Sequence, residues 1–90
     1  MAGEDATPLY MGPVKRSMTI AGHTTSISLE PFFWEALEAA ARAANLPLSA
    51  LVARIDAARL DAPAPPNLAS AIRCWLLAEG LSRASDPSAP

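Results

Sequence analysis

Polar and apolar residues alternate near the start of the chain, but the alternation changes phase partway. The apolar members occupy even positions before the change and odd positions after it: Met18, Ile20, Ile27 and Leu29. A period of two indicates extended strands with one buried face. We therefore predict a strand over 23–29 and a further extended stretch over 16–20. One bulged residue at Gly22 would turn all four apolar side chains to the same face.

Hydroxyl groups occupy the positions between these apolar residues. They belong to Ser17, Thr19, Thr24, Ser26 and Ser28. On a pleated strand they would all point away from the buried face. The pattern leaves two interpretations open, an ordinary solvated strand face or a surface that binds a partner.

A first helix is predicted from Pro31, because proline suits the first helical position, where its missing N–H is not needed. Asn45 tolerates the left-handed conformation that ends many helices, and Pro47 prevents continuation. Between these limits the apolar residues follow helical spacing. They are Trp34, Leu37, Ala41 and Ala44.

Two further helices follow. Ser49 is a good N-cap for the second helix, whose apolar stripe consists of Leu51, Val52, Ile55 and Ala58. The proline-rich stretch 61–66 ends it. Asn67 can cap a third helix, which we expect to end at Gly80. Its apolar residues recur at helical spacing: Leu68, Ala71, Ile72, Trp75 and Leu76.

The predicted fold is mainly α with one strand per chain. A single strand leaves its edge unpaired, which is unstable or prone to aggregation. The simplest partner is the same strand of a second copy, related by a two-fold axis. This pairing would make an intermolecular two-stranded antiparallel ribbon in a homodimer. A core of roughly 70 residues is also small for one chain to stabilise alone.

Composition divides the chain into three parts. The ends are rich in Pro, Gly, Ser and Ala without any period, so we predict disordered tails over 1–14 and 82–90. Residues 15–81 would form one domain, with the third helix at about 67–80.

Charge and cysteine content narrow the possible functions. The 90 residues carry a net charge of −2, which is unlike a protein that coats nucleic acid through charge alone. The one cysteine, Cys74, cannot form an intrachain disulfide and favours a reducing, cytoplasmic location. We expect its thiol to be buried. No apolar stretch is long enough to span a membrane.

Two short motifs are more specific than the order of elements. Residues 22–34 fit the spacing Gly-His-x-x-Ser-x-x-Leu-Glu-x-x-x-Trp, and residues 67–73 fit Asn-Leu-x-Ser-Ala-Ile-Arg. With the strand-helix-helix order, they resemble the ribbon-helix-helix (MetJ/Arc-type) family, in a bacterial subfamily of short single-domain proteins. The resemblance covers about residues 15–81 and does not include the tails.

The resemblance implies a homodimer that binds double-stranded DNA and regulates transcription. Side chains on the outside of the ribbon would enter the major groove, and by position these are Thr24, Ser26 and Ser28. A DNA phosphate would be held at the start of the second helix, by Ser49 and the amides of Ala50 and Leu51.

Two other sets of residues complete the expected site and interface. Lys15 and Arg16 either contact phosphates beside the ribbon or serve only solubility. The predicted core and dimer contacts are Ile27, Leu29, Trp34, Leu37, Leu51, Val52, Ile55, Ile72, Trp75 and Leu76.

The ribbon departs from the usual pattern of the family. Better-known members carry Arg, Lys, Gln or Asn there, which reach base edges with paired hydrogen bonds. The short hydroxyls of this chain leave an alternative open, a dimeric protein-interaction module, antitoxin-like or an adaptor, that does not bind DNA. Its partner would contact Trp75, Leu76, Leu81 and the apolar segment 9–11. We predict no enzyme, metal site or cofactor, because no acid–base or ligand cluster is visible.

Overall fold

The computed structural model describes residues 7–85 of the chain. Two strands, β1 (Val14–Ile20) and β2 (His23–Leu29), precede three helices, α1 (Pro31–Ala43), α2 (Leu48–Leu60) and α3 (Leu68–Ser85). The outer parts of the two predicted disordered tails, 1–6 and 86–90, lie outside the described residues.

The two strands form an antiparallel hairpin within one chain. Their register runs from Val14 opposite Leu29 to Ile20 opposite His23. Ala21 and Gly22 make the two-residue turn with φ angles of 52° and 84°. Positive φ at both positions is the requirement of a type I′ turn, whose twist matches that of the flanking strands.

The prediction of one strand per chain is therefore wrong. The partner of β2 is β1 of the same polypeptide rather than the strand of a second copy. The bulge at Gly22 is also wrong, because a two-residue turn explains the phase change. Ile20 and His23 flank the turn and lie opposite each other, so both point to the same side although they are three positions apart.

The predicted sorting of side chains between the two faces is confirmed. Ile20, Ile27 and Leu29 are buried, and Met18 packs partly against them. This inner face of the hairpin lies on the helices.

α1 begins and ends as its sequence predicts. Pro31 stands at its start, and Trp34 and Leu37 are buried. Asn45 adopts the left-handed conformation, with φ of 56°. The Leu46 amide then donates to the Ala41 carbonyl at 2.9 Å, which closes the helix in a Schellman-type arrangement.

The start of α2 and the end of α3 differ from prediction. α2 has Pro47 as its N-cap, so Ser49 lies inside the first turn and makes no capping bond. Gly80 does not end α3, which continues to Ser85. One glycine inside a helix costs only about 1 kcal/mol, and helix formers follow it. The Asn67 cap is confirmed, since the Ser70 amide donates to Asn67 Oδ1 at 2.8 Å.

The core lies between the hairpin and the three helices. Its buried members are Ile20, Ile27, Leu29, Trp34, Leu37, Ala41, Leu51, Val52, Ile55, Ala71 and Ile72. Trp75 and Leu76 of the predicted core are only half-buried against it. α3 packs on α1, α2 and β2, so β1 and α3 contribute within one chain to a core that the sequence predicts two chains to share.

Cys74 is exposed, which corrects the prediction of a buried thiol. It lies two positions, or about 200° around the helix, from the fully buried Ile72. The apolar residues next to Cys74 in the sequence therefore do not indicate that its thiol is buried, because only one side of α3 faces the core.

Candidate nucleic-acid interface

The hairpin presents one exposed surface away from the helices, which we name the outer face. It consists of Lys15, Ser17, Thr19, Thr24, Ser26 and Ser28. All are exposed except the half-buried Ser28. They reach this face because the inner positions between them are held by the core.

The register arranges the outer face as three cross-strand pairs. The Thr pair (Thr19 and Thr24) lies next to the turn and the Ser pair (Ser17 and Ser26) in the middle. Lys15 and Ser28 form the pair at the open end. The two hydroxyl oxygens of the Ser pair are 3.4 Å apart. The face contains no carboxylate, so its charge is positive although the whole chain is acidic.

The dimensions of this surface match a DNA groove. Strands in a sheet lie about 4.8 Å apart, and successive pairs on one face are about 6.7 Å apart along the strand. The major groove of B-DNA is about 12 Å wide and admits a two-stranded ribbon. The outer face therefore has the width of an element that can enter the groove.

Lys15 and Arg16 point in opposite directions. Arg16 is paired with Ile27 on the inner side, and its guanidinium bonds to Glu38 at 2.8 Å. It also lies 4.6 Å from the centre of the Trp34 ring. These contacts favour a structural role for Arg16 over the predicted phosphate contact, and leave Lys15 as the cation of the outer face.

A second ion pair joins the end of β2 to α3. The Arg73 guanidinium bonds to Glu30 at 2.8 Å and lies 5.6 Å from the Phe33 ring centre. A hydrogen bond from the Glu30 backbone, and then the bond from Arg73, lower the pKa of the Glu30 carboxyl. Arg73 thus forms a structural ion pair within its own chain.

The amides available to hold a phosphate at the start of α2 differ from those predicted. The Ala50 and Leu51 amides already donate to the Pro47 carbonyl, at 3.0 and 3.2 Å. Within residues 7–85, no hydrogen bond uses the amides of Leu48 and Ser49. These two, at the positive end of the helix dipole, are the donors available to an anion.

Sequence reasoning gave Ser17 and Thr19 the correct direction but left them out of the predicted DNA contacts. The Ala-Gly dipeptide at the phase change was the signal for a hairpin, which makes both strands part of one surface.

Among the described residues, no group of three or more His, Cys, Asp or Glu could hold a metal ion. No helix in the same range is long and apolar enough to cross a membrane.

The sequence matches the Ribbon-helix-helix domain family over residues 13–79. This stretch includes both strands, α1, α2 and most of α3, so the chain belongs to the ribbon-helix-helix family. Proteins of this family generally dimerise and bind DNA as transcription regulators, and are typically not enzymes. No curated protein and no solved structure matches the chain.

Proposed function

We propose that this protein binds double-stranded DNA and regulates transcription in the bacterial cytoplasm, with the outer face of its hairpin in the major groove. The observation that carries the proposal is this face itself. It is an exposed two-stranded ribbon, free of carboxylates, with a lysine at its open end. Family membership supports the same function.

The chemistry of the outer face implies modest affinity. A hydroxyl donates or accepts one bond at a time, whereas a good bidentate contact gives about 1–3 kcal/mol of base discrimination. Phosphate contacts come from Lys15 and, at the start of α2, from the amides of Leu48 and Ser49. So few charges predict a weak dependence of binding on salt.

A second copy can join at the free edge of β2. A type I′ turn makes Ile20 and His23 a hydrogen-bonded pair, and such pairs alternate along the strands. The backbone groups of Thr24, Ser26 and Ser28 therefore point away from β1. Pairing there about a two-fold axis would bring these side chains from both copies together. Their six hydroxyls would then form the centre of a four-stranded sheet, with Lys15 on its outer strands.

Mobility shift with random genomic fragments tests DNA binding. At low salt, where electrostatic attraction is strongest, we expect a shifted complex. The double variant Ser26→Ala with Ser28→Ala should weaken it and flatten any sequence preference. Ser82→Ala, on the exposed part of α3, is the matched control and should change nothing. No retardation of the wild type at low salt would reject the proposal.

Proline substitutions test the dimer edge. Ser26→Pro removes a donor that β1 does not use, so the hairpin keeps its own bonds. Ser17→Pro does the same on the free edge of β1. If the β2 edge joins two copies, Ser26→Pro should halve the native mass and Ser17→Pro should leave it unchanged. A wild type that is monomeric at micromolar concentration would exclude this dimer.

A second function is favoured by the apolar surface of α3. Leu77 and Leu81 are 64% and 60% exposed, and a groove of about 280 Å³ runs between α3 and the alanines of α1. Tyr10 of the N-terminal segment is 92% exposed. A protein-interaction module would use these residues. A stoichiometric protein partner that survives nuclease treatment and is lost in Leu77→Ser would support this function over DNA binding.

A further inference from the structure

We infer that the outer face selects DNA that contains thymine, through the two methyl groups of the Thr pair. This inference rests on the proposed binding of the outer face in the major groove. The three cross-strand pairs differ in which bases they can distinguish. A hydroxyl can donate or accept, so the Ser pair can bond to any base edge.

The Thr pair adds an apolar component to the face. Thr19 and Thr24 are both exposed and lie directly opposite each other beside the turn. Side chains opposite each other have Cβ atoms about 4.5–5.5 Å apart, which is close enough for their two methyl groups to form one small apolar patch. The thymine C5 methyl is the apolar feature among the base edges of the major groove. Contact between the two removes apolar surface from water on both sides.

Lys15 lies at the opposite end of the hairpin from the Thr pair, so the two would contact different positions along the groove. Thr19 and Lys15 are four positions apart in β1, a distance of about 13 Å at the usual rise per residue. Thymine contact is therefore expected at the turn end of the hairpin, and attraction to phosphate at its open end.

Paired synthetic duplexes isolate the methyl group. Poly(dA·dT) and poly(dA·dU) present the same hydrogen-bonding edges and differ in the C5 methyl. Titration with the full chain at low salt should show tighter binding to the thymine duplex, by about three- to fourfold for each methyl buried. Equal affinity for the two duplexes would overturn the inference and leave DNA binding itself intact.

Two variants identify the residues responsible. Thr19→Ser with Thr24→Ser removes only the two protein methyls, so the affinity ratio between the duplexes should fall towards one. Ser17→Ala with Ser26→Ala is the matched control, in which weaker binding should keep the wild-type ratio. A ratio that survives the Thr-to-Ser exchange would assign the preference elsewhere and overturn the inference. Circular dichroism of each variant checks the fold, and absence of binding to either duplex would instead reject the proposed function.

Discussion

The inner and outer faces of the hairpin use alternate residues of the same two strands, yet they differ in almost every property. The inner face buries Ile20, Ile27 and Leu29 against the helices, whereas the outer face carries five hydroxyl groups, four of them exposed, and the exposed Lys15. Fold stability is therefore concentrated on one side of the hairpin, and the proposed DNA contacts on the other. Substitutions on the two faces should have separable effects.

Lys15 and Arg16 show the same contrast between adjacent residues. Arg16 has an acid and an aromatic ring as partners on the inner side, while Lys15 lies on the outer face. Equal charge and adjacent position thus do not imply equal function, because one step along a strand changes the face.

The largest effect is expected at Leu29, on the inner face at the open end of the hairpin. Leu29 is completely buried, so Leu29→Ala should lower the free energy of unfolding by about 3 kcal/mol through lost burial and a residual cavity. Urea denaturation measures this. Ser28→Ala, one residue away on the outer face, should stay within about 0.5 kcal/mol of wild type. Similar losses in both variants would contradict the separation of the two faces.

The salt dependence of the proposed DNA binding tests the contrast between Lys15 and Arg16. Lys15→Ala should reduce the slope of log affinity against log salt by about 0.9 per chain, because one phosphate contact is lost. Arg16→Ala should keep the slope and instead lower stability by up to about 1 kcal/mol, through its contacts with Glu38 and Trp34. The reverse assignment would mean that Arg16 leaves its partners to bind DNA.

A substitution at Ala21, in the turn between β1 and β2, should make the fold more stable. Ala21 has a positive φ, which is unfavourable for a residue with a Cβ. Ala21→Asn should raise the free energy of unfolding by about 0.5–1 kcal/mol, because Asn-Gly is preferred in type I′ turns. Ala78→Asn, inside the exposed part of α3, should have the opposite sign. Destabilisation by Ala21→Asn would argue against this turn.

The smallest effect concerns pH at the end of β2. The lowered pKa of Glu30 means that its carboxylate stabilises the fold above its ordinary value of 4.5. This contribution should diminish as pH falls from 4.5 through the folded pKa. The difference in stability between wild type and Glu30→Gln should therefore shrink on acidification.

The elements of the fold could be predicted because each has a local cause. Pro31 and Asn45 mark the ends of α1, and periodic apolar residues identify the core. The pairing of the strands could not be settled by the same pattern, since alternation specifies faces and leaves open which chain supplies the partner. The phase change indicated a hairpin, because a two-residue turn at positive φ reverses the chain and moves the inward-facing positions from even to odd numbers.

The candidate site was predicted in part for similar reasons. Thr24, Ser26 and Ser28 lie on the exposed face as expected, because the buried Ile27 and Leu29 fix their direction. Arg16 lies at a position with inward register, where its guanidinium lies over the Trp34 ring and bonds to Glu38, so its phosphate contact stays a prediction. The Ser49 cap failed because Pro47, two residues earlier, already had a suitable backbone conformation.

The intrachain hairpin also affects how the proposed DNA binding would depend on the concentration of the protein. A ribbon assembled from two polypeptides disappears on dilution below the dimer dissociation constant, and promoter occupancy then rises steeply with expression level. A ribbon closed by Ala21 and Gly22 persists in every molecule, however few there are. If single molecules bind without the dimer proposed at the β2 edge, occupancy would follow a simple hyperbola, which suits graded rather than threshold control.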